Sequence, residues 1–440
     1  AEQAVALRER AVELREDHLE QPERAIELLE DALALIPEHP PAQRALQRLY
    51  RRASRFLELA DLLTLKLENT WSPKERMELQ LERAILFEED LHDPERALDA
   101  YKALQALDPE SLQPLDGMAR MYTAMEQWDQ ALEVMRQLTE RVKDPARLAE
   151  THYRMGEIYE DVGHDPQRAE VLYQEALASA PDHLRAMSRL IELTSARSDW
   201  GKTARMMERA AEVERDPGRR ARLLKQAGEV CLLHLEDEAR GVDLLQRSLS
   251  LDPAQPLIAE QLRPIYSRTE DHQGLEPMLD LLLQAGAADL PGEELLGLHL
   301  EQARTCEALG RDSKALRHYR EVLEMDATNL EALLHLVDLL CRLGEAEQAF
   351  AVIQANLENH AERLPVEQRA QLHHRLGMIQ LRRDEHDLAR ASFRTALELD
   401  PTNRAALEAM GTASGEGENW AELVAARREL MVGAEPTERL

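Results

Sequence analysis

The spacing of apolar residues along the chain predicts amphipathic helices. In the segment that follows Asp93, apolar side chains recur at three- and four-residue intervals, at Ala97, Leu98, Tyr101 and Leu104. This period places them on one face of an α-helix, whereas a half-buried strand would alternate apolar and polar residues. Asp93 precedes the segment as a candidate helix cap, and Pro109 stops it.

The same pattern returns at a nearly constant period. Prolines that close such helices lie 72 residues apart, at Pro37, Pro109, Pro181 and Pro253. Ala327 and Pro401 continue the series in two steps of 74 residues. Nineteen residues after these six positions come Phe56, Trp128, Trp200, His272, Ala346 and Trp420. We therefore predict six repeat units, at residues 1–72, 73–144, 145–216, 217–290, 291–364 and 365–435, with the start of a further repeat at 436–440.

Each repeat unit is predicted to hold four helices. In the second unit, Ser72 caps the first helix and Asp93 the second, a third helix runs through Tyr122, and Trp128 opens the fourth. The loops between them are only a few residues long, so neighbouring helices are expected to be antiparallel. One hairpin cannot bury its apolar face alone, whereas stacked copies share a continuous core. Aromatic residues at repeat spacing, Trp128 among them, are expected in that core.

The hairpins resemble the tetratricopeptide repeat, a helix hairpin of about 34 residues. Its second helix has a small residue, an aromatic, a small residue and a proline at fixed spacing, as at Ala169, Tyr173, Ala176 and Pro181. Its first helix is matched by Met155, Gly156 and Tyr159. The resemblance extends along the chain as about twelve hairpins. It implies an all-α fold, an α-α superhelical solenoid continuous over residues 1–440, with a groove lined by the first helix of each hairpin.

The chain is strongly acidic, and this bears on the partners that it can bind. The formal net charge is −30 over 440 residues. Such a chain repels nucleic-acid phosphates and anionic membrane surfaces, so we expect neither nucleic-acid binding nor membrane insertion. Proteins with basic surfaces or segments are the expected partners.

The remaining composition favours a bacterial, cytoplasmic protein. Arginine supplies most of the positive charge, as in proteins of GC-rich genomes. The three cysteines, Cys231, Cys306 and Cys341, cannot all pair, and each has apolar, helical surroundings. No apolar run is long enough to span a bilayer, and no signal peptide is visible. The chain begins with Ala1, which is compatible with a leader that has been removed.

Four common motifs of enzyme and metal sites are absent from the sequence. It has no glycine-rich phosphate loop, no HExxH, no CxxC and no GxSxG. The pairs His92-Asp93 and His164-Asp165 occupy equivalent loops, where we expect the aspartate to cap a helix rather than bind a metal. We therefore expect no catalysis, no cofactor and no metal site.

The candidate binding residues are mostly acidic. The resemblance implies groove positions on the first helix of a hairpin, which correspond here to Tyr153, Glu157 and Glu160 in the third unit and to Glu9, Glu13 and Glu16 in the first. The Lys, Asn and Arg residues with which some members of the family grip a terminal carboxylate are missing at these positions.

Part of this acidic set recurs at the repeat step. The pairs Glu16-Asp17, Glu88-Glu89 and Glu160-Asp161 lie near predicted helix C-termini. The helix dipole opposes negative charge there by about 0.3–1 kcal/mol. Two interpretations stay open: an ion pair within the hairpin, to Arg24, Arg96 and Arg168, or a basic partner in the groove.

A basic helix face is the second candidate surface. Arg44, Arg48 and Arg51 share this face through their three- and four-residue spacing. Neighbouring carboxylates balance these charges, or the face contacts an acidic partner such as a second copy of the chain. Self-association is therefore one expectation.

The fourth repeat unit is irregular. Pro264 lies inside a predicted helix, where it should cause a kink, and Pro277 and a loosely patterned segment follow. We expect a bend between residues 264 and 293.

These features favour a non-catalytic scaffold or adaptor that binds proteins along a groove or its edges. Two alternatives stay open: a regulatory array of a larger enzyme whose catalytic domain lies outside these residues, and a self-assembling architectural element.

Overall fold

The structure, a computed structural model, describes residues 22–286 and 290–413. All regular secondary structure in these ranges is helical. Twenty-two α-helices and no strand lie in these ranges. In chain order they are α1 (Pro22–Leu35), α2 (Pro40–Arg52), α3 (Phe56–Asn69), α4 (Pro73–Ile85), α5 (Pro94–Leu107), α6 (Gln113–Ala124), α7 (Trp128–Arg141), α8 (Pro145–Asp161), α9 (Pro166–Ser179), α10 (Leu184–Ala196), α11 (Trp200–Val213), α12 (Pro217–His234), α13 (Glu238–Leu251), α14 (Pro256–Thr269), α15 (His272–Gly286), α16 (Gly292–Ala308), α17 (Asp312–Met325), α18 (Leu330–Arg342), α19 (Ala346–His360), α20 (Val366–Arg382), α21 (His386–Leu399) and α22 (Arg404–Ala413).

Two short helices of other types extend this set. A π-helical turn at Leu86–Asp90 continues α4, and a 3-10 turn at Ala361–Arg363 follows α19. None of the described helices combines the length and the apolarity that crossing a bilayer requires.

The chain divides into two compact bodies. Among the described residues, those up to Leu244 form the N-terminal body and those from Leu245 onwards form the C-terminal body, with the boundary inside α13. Within each body, helices that follow one another in the sequence pack together as hairpins, such as α8 with α9 and α20 with α21. The predicted all-α array of hairpins is confirmed. Its continuity from one body to the other stays a prediction.

Helix starts follow the predicted period. Six residues were predicted to recur nineteen positions after the repeated prolines and Ala327. The five of them that the structure describes each begin a helix: Phe56, Trp128, Trp200, His272 and Ala346. The predicted caps are also present. Asp93 accepts the backbone N–H of Arg96 at 3.1 Å at the start of α5, and Ser72 caps α4. These side chains satisfy amide groups that have no partner within the helix.

Glycines allow aromatic rings to pack closely between helices. Tyr173 of α9 is fully buried against Gly156 of α8, where a Cβ would lie 2.5 Å from the ring. Phe393 of α21 packs in the same way on Gly377 of α20. A ring from one helix thus fills the space that the missing side chain of the next helix leaves, as expected for stacked hairpins.

Two prolines of the irregular unit lie inside helices rather than at their ends. Pro264 lies within α14 and Pro277 within α15, and both helices continue on either side. Residues 287–289 of the predicted bend lie outside the described residues. The bend between 264 and 293 therefore stays a prediction.

Candidate protein-binding site

A cavity of about 550 Å³ lies between neighbouring repeats of the N-terminal body. Three helices border it: the end of α6, the beginning of α7 and the last turns of α8. We call it the Trp128 cavity. Its apolar wall is formed by Ala124, Trp128, Met135, Ile158 and Val162.

Polar side chains complete the lining of the Trp128 cavity: Arg120, Thr123, Arg154, Glu157 and Asp161. On α8, residues 154, 157, 158 and 161 have the three- and four-residue spacing that places side chains on one helix face. Asp144 caps this helix by accepting the backbone N–H of Arg147 at 3.2 Å, so the face belongs to a helix with a defined start.

Trp128 is half-buried and lines the cavity, so its expected place in the core is only partly right. Met135 and Ile158 are buried behind it, whereas Val162 is 39% exposed at the end of α8. The indole therefore forms part of a wall that a ligand can reach.

Arg120 is held by an acidic residue of the preceding hairpin. Its guanidinium donates to both carboxylate oxygens of Glu88, at 2.5 and 2.9 Å, and the Tyr101 hydroxyl also donates to Glu88, at 2.5 Å. Burial alone would raise the pKa of Glu88, but the hydrogen bonds from Arg120 and Tyr101 outweigh it, so this pKa lies below its usual value. Burial and the Glu88 carboxylate raise the pKa of Tyr101, which keeps its hydroxyl a donor.

The arrangement around Glu88 corrects one of the two open interpretations. Arg96 and Arg168 were expected to pair with the acidic residues at positions 88 and 160. Arg96 instead pairs with its own helix cap Asp93 at 3.4 Å, and Arg168 with Asp165 at 3.3 Å. Glu88 does form an ion pair, but with an arginine of the next hairpin.

A similar cluster in the C-terminal body supports a structural role for Glu88. Glu307 accepts hydrogen bonds from the Tyr319 hydroxyl at 2.9 Å and from Arg342 at 2.6 Å, and His335 lies 3.1 Å away. In both bodies a glutamate near a helix end joins a buried tyrosine and an arginine. Such clusters connect successive helices rather than leave the glutamate free for a partner.

Glu157 and Tyr153 are hydrogen-bonded to each other. The Tyr153 hydroxyl donates to Glu157 at 2.6 Å, and Arg185 lies 3.6 Å from the same carboxylate. Tyr153 is only 4% exposed, so we expect it to position Glu157 rather than touch a partner. Burial and the nearby Glu157 raise the pKa of the Tyr153 hydroxyl, which stays a donor.

Two other acidic residues of α8, Glu160 and Asp161, differ in their surroundings. Glu160 accepts the Tyr173 hydroxyl at 2.7 Å. Its neighbour Asp161 is exposed and has neither an ion-pair nor a hydrogen-bond partner for its carboxylate among the described residues. Asp161 is also the last residue of α8, where the helix dipole disfavours negative charge. Glu13 and Glu16 lie outside the described residues.

The basic face of α2 is partly neutralised within the chain. Arg44, Arg48 and Arg51 are all exposed. Arg51 lies 2.5 Å from the Glu82 carboxylate, and Arg44 donates to the carbonyl of Pro40 at 3.3 Å. Neighbouring carboxylates thus balance part of this charge. Self-association through this face stays a prediction.

The described residues contain no group of three or more histidine, cysteine or acidic side chains that could hold a metal ion. The two His-Asp pairs end in helix caps: Asp93 and Asp165 each accept a backbone N–H, at 3.1 Å. The capping interpretation of both aspartates is confirmed.

Two segments match family models of the tetratricopeptide repeat, at residues 115–149 and 370–403. The chain contains tetratricopeptide repeats. The first segment contains nearly all of α6, all of α7 and the beginning of α8, which are the helices that border the Trp128 cavity. The family expected from the hairpin residues is therefore confirmed.

Solved structures with similar folds include a MamA protein, at 18% identity and a TM-score of 0.33, covering 40% of this chain and 90% of that one. The structure of Naa15/Naa10 bound to HypK-THB is similar at 14% identity and a TM-score of 0.37, over 97% of this chain and 71% of that one. YrrB, a TPR protein described as having an unusual peptide-binding site, is similar at 18% identity and a TM-score of 0.32. The match covers 46% of this chain and 98% of YrrB. No curated protein matches the sequence.

Proposed function

We propose that this tetratricopeptide-repeat protein is a non-catalytic scaffold in the cytoplasm that binds protein partners at the Trp128 cavity, and that these partners present basic segments. One observation carries the proposal. A single cavity between neighbouring repeats combines an exposed aspartate that lacks a described partner, Asp161, with an apolar wall around Trp128.

The charges around the cavity support a basic partner. Arg120 and Arg154 line the cavity, but each is paired with a carboxylate, Glu88 at 2.5 Å and Glu150 at 3.0 Å. The charge left over is that of Asp161. The net charge of −30 adds a long-range attraction for cations, which raises the rate at which a basic segment is captured.

The apolar wall supplies the part of the affinity that does not depend on salt. Protein-binding sites place aromatic and aliphatic side chains at their centre and polar groups at the rim. Trp128 and Ile158 occupy the wall and Asp161 the rim, so a partner would contact both kinds of group at once.

Site-specific photo-cross-linking tests the proposal in cells. Ala124 is exposed and lines the cavity, so a photoreactive amino acid there should cross-link the partner. Val171 on α9 is 54% exposed but is not a cavity residue, and it serves as the matched control position. Mass spectrometry of adducts formed from position 124 alone identifies the partner.

The purified partner is then tested against the full chain. We expect Asp161→Lys to weaken binding by about tenfold, and raised salt to weaken binding to the unmodified chain. Equal binding by the Asp161→Lys variant, or the same adducts from positions 124 and 171, would contradict the proposal.

A further inference from the structure

The chain contains a repeat-equivalent of Trp128, Trp200, and one of the chain's own side chains stacks on its indole. Trp200 lies one 72-residue step after Trp128, and each begins the equivalent helix, α11 or α7. The imidazole of His234 stacks on the Trp200 indole, with ring centroids 3.9 Å apart and an angle of 7° between the rings.

The covering residue is missing at the Trp128 position. One step before His234 lies Val162, whose branched aliphatic side chain cannot stack as a flat ring does. α12 includes His234 as its last residue, whereas α8 ends one residue before Val162. The Trp128 cavity is therefore the place where a flat group of another molecule can occupy the position that His234 takes over Trp200.

The charges of the two sites differ in the same region. Asp161 lies beside Val162, and the equivalent residue beside His234 is Leu233, which is 72% exposed. The Trp128 site thus offers a carboxylate next to the uncovered indole. A group that satisfies both must be planar and must carry a positive charge with hydrogen-bond donors.

We propose that the Trp128 cavity is a subsite for an arginine side chain of the partner, whose guanidinium stacks on Trp128 and donates hydrogen bonds to Asp161. This inference rests on the proposed function and specifies its partner. Arginine fits the site better than lysine, because a guanidinium is flat, stacks on aromatic faces and can donate two parallel hydrogen bonds to one carboxylate. Its aliphatic stem packs against Ile158 and Val162.

Single amino-acid probes test the chemistry without knowledge of the partner. The indole N–H signals of the ¹⁵N-labelled full chain are followed by NMR during titration with N-acetyl-arginine amide, N-acetyl-lysine amide and N-acetyl-citrulline amide. Trp128→Phe assigns the signal. We expect a saturable shift of the Trp128 signal with the arginine probe at roughly millimolar concentration. Binding of the lysine and citrulline probes should be several-fold weaker, because the first lacks the plane and the second the charge.

Variants taken from the chain's own repeats are the controls. Val162→His should place an imidazole over Trp128 and abolish the shift, while circular dichroism shows an unchanged fold. Asp161→Asn should weaken the arginine probe by about tenfold. In the double variant Leu233→Asp/His234→Val the second site acquires both features, and the Trp200 signal should now respond to arginine.

Several results would overturn the inference. An equal response to all three probes, an undiminished shift in Val162→His, or no response at Trp128 would each do so. The probes can fail to bind while a partner still cross-links at position 124 and requires Asp161. That result would refute the arginine subsite but not the proposed scaffold function. If the arginine probe binds but no partner cross-links at position 124, the arginine subsite is supported and the proposed scaffold function is refuted.

Discussion

Glu88 connects two successive hairpins, and replacing it should destabilise the chain. Its carboxylate accepts one hydrogen bond from Tyr101 of α5 and two from Arg120 of α6. The substitution Glu88→Gln keeps the size of the side chain but removes the charge. Arg120 then loses its ion pair, and the buried Tyr101 hydroxyl keeps at best a neutral acceptor.

The magnitude follows from the contacts and their exposure. A hydrogen bond to a charged group contributes about 1.5–3 kcal/mol when it is shielded from water. The side chain of Glu88 is 15% exposed but that of Arg120 is 45% exposed, so water screens the pair and replaces part of what is lost. We therefore expect Glu88→Gln to lower the free energy of unfolding by about 1–2 kcal/mol near neutral pH.

The effect should depend on pH in one direction. The pKa of Glu88 is lower in the folded chain than its usual value of 4.5. The carboxylate therefore contributes stability above its unfolded pKa, and this contribution is lost as the pH falls through the folded value. The difference between the unmodified chain and Glu88→Gln should shrink below about pH 4.

The assay is urea denaturation followed by circular dichroism, with Glu89→Gln as the control. Glu89 lies on the same π-helical turn, is exposed and has no described partner for its carboxylate, so its substitution removes the same charge without the contacts. Glu89→Gln should change stability by less than about 0.5 kcal/mol. Equal effects of the two substitutions, or an effect of Glu88→Gln that grows towards acid pH, would refute the reasoning.

Two further substitutions test packing and capping by the same denaturation assay. Gly156→Ala forces a methyl group against the buried ring of Tyr173 and should destabilise by about 1–3 kcal/mol, less the gain in helix propensity. Gly297 also lies inside a helix but has open space around its Cβ position, so Gly297→Ala should stabilise the chain by up to about 1 kcal/mol. A change in unfolding free energy of the same sign for both substitutions would contradict the packing account. Asp93→Ala removes the cap of α5 and should lower the unfolding free energy by about 1 kcal/mol. Glu95→Ala, in the first turn of the same helix, should lower it by less. A larger loss for Glu95→Ala than for Asp93→Ala would contradict the capping role of Asp93.

The repeat pattern was sufficient to predict the helices and many of their ends. Proline, small and aromatic residues at fixed spacing report on local geometry, because each helix start and each close approach demands a particular residue type. Trp128 and Trp200 therefore begin helices as expected. The caps at Ser72 and Asp93 could be predicted for the same reason, since a cap lies within three residues of the amide group that it satisfies.

Contacts between hairpins could not be predicted in this way. The partner of Glu88 is Arg120, 32 residues away, and nothing in the local sequence distinguishes it from the nearer Arg96. The two tryptophan sites differ at the position that covers the indole in one of them, where Val162 stands in place of His234. That difference is visible in an alignment of the chain with itself, but its meaning depends on the position of the imidazole over the indole.

The affinity of the cross-linked partner for the Val162→His variant tests the central claim most directly. Calorimetric titration of the full chain, with and without this substitution, compares the open cavity with one that the chain's own imidazole covers. The account predicts that binding weakens by at least about tenfold while thermal stability is retained. An unchanged dissociation constant would show that partners dock elsewhere on the repeats.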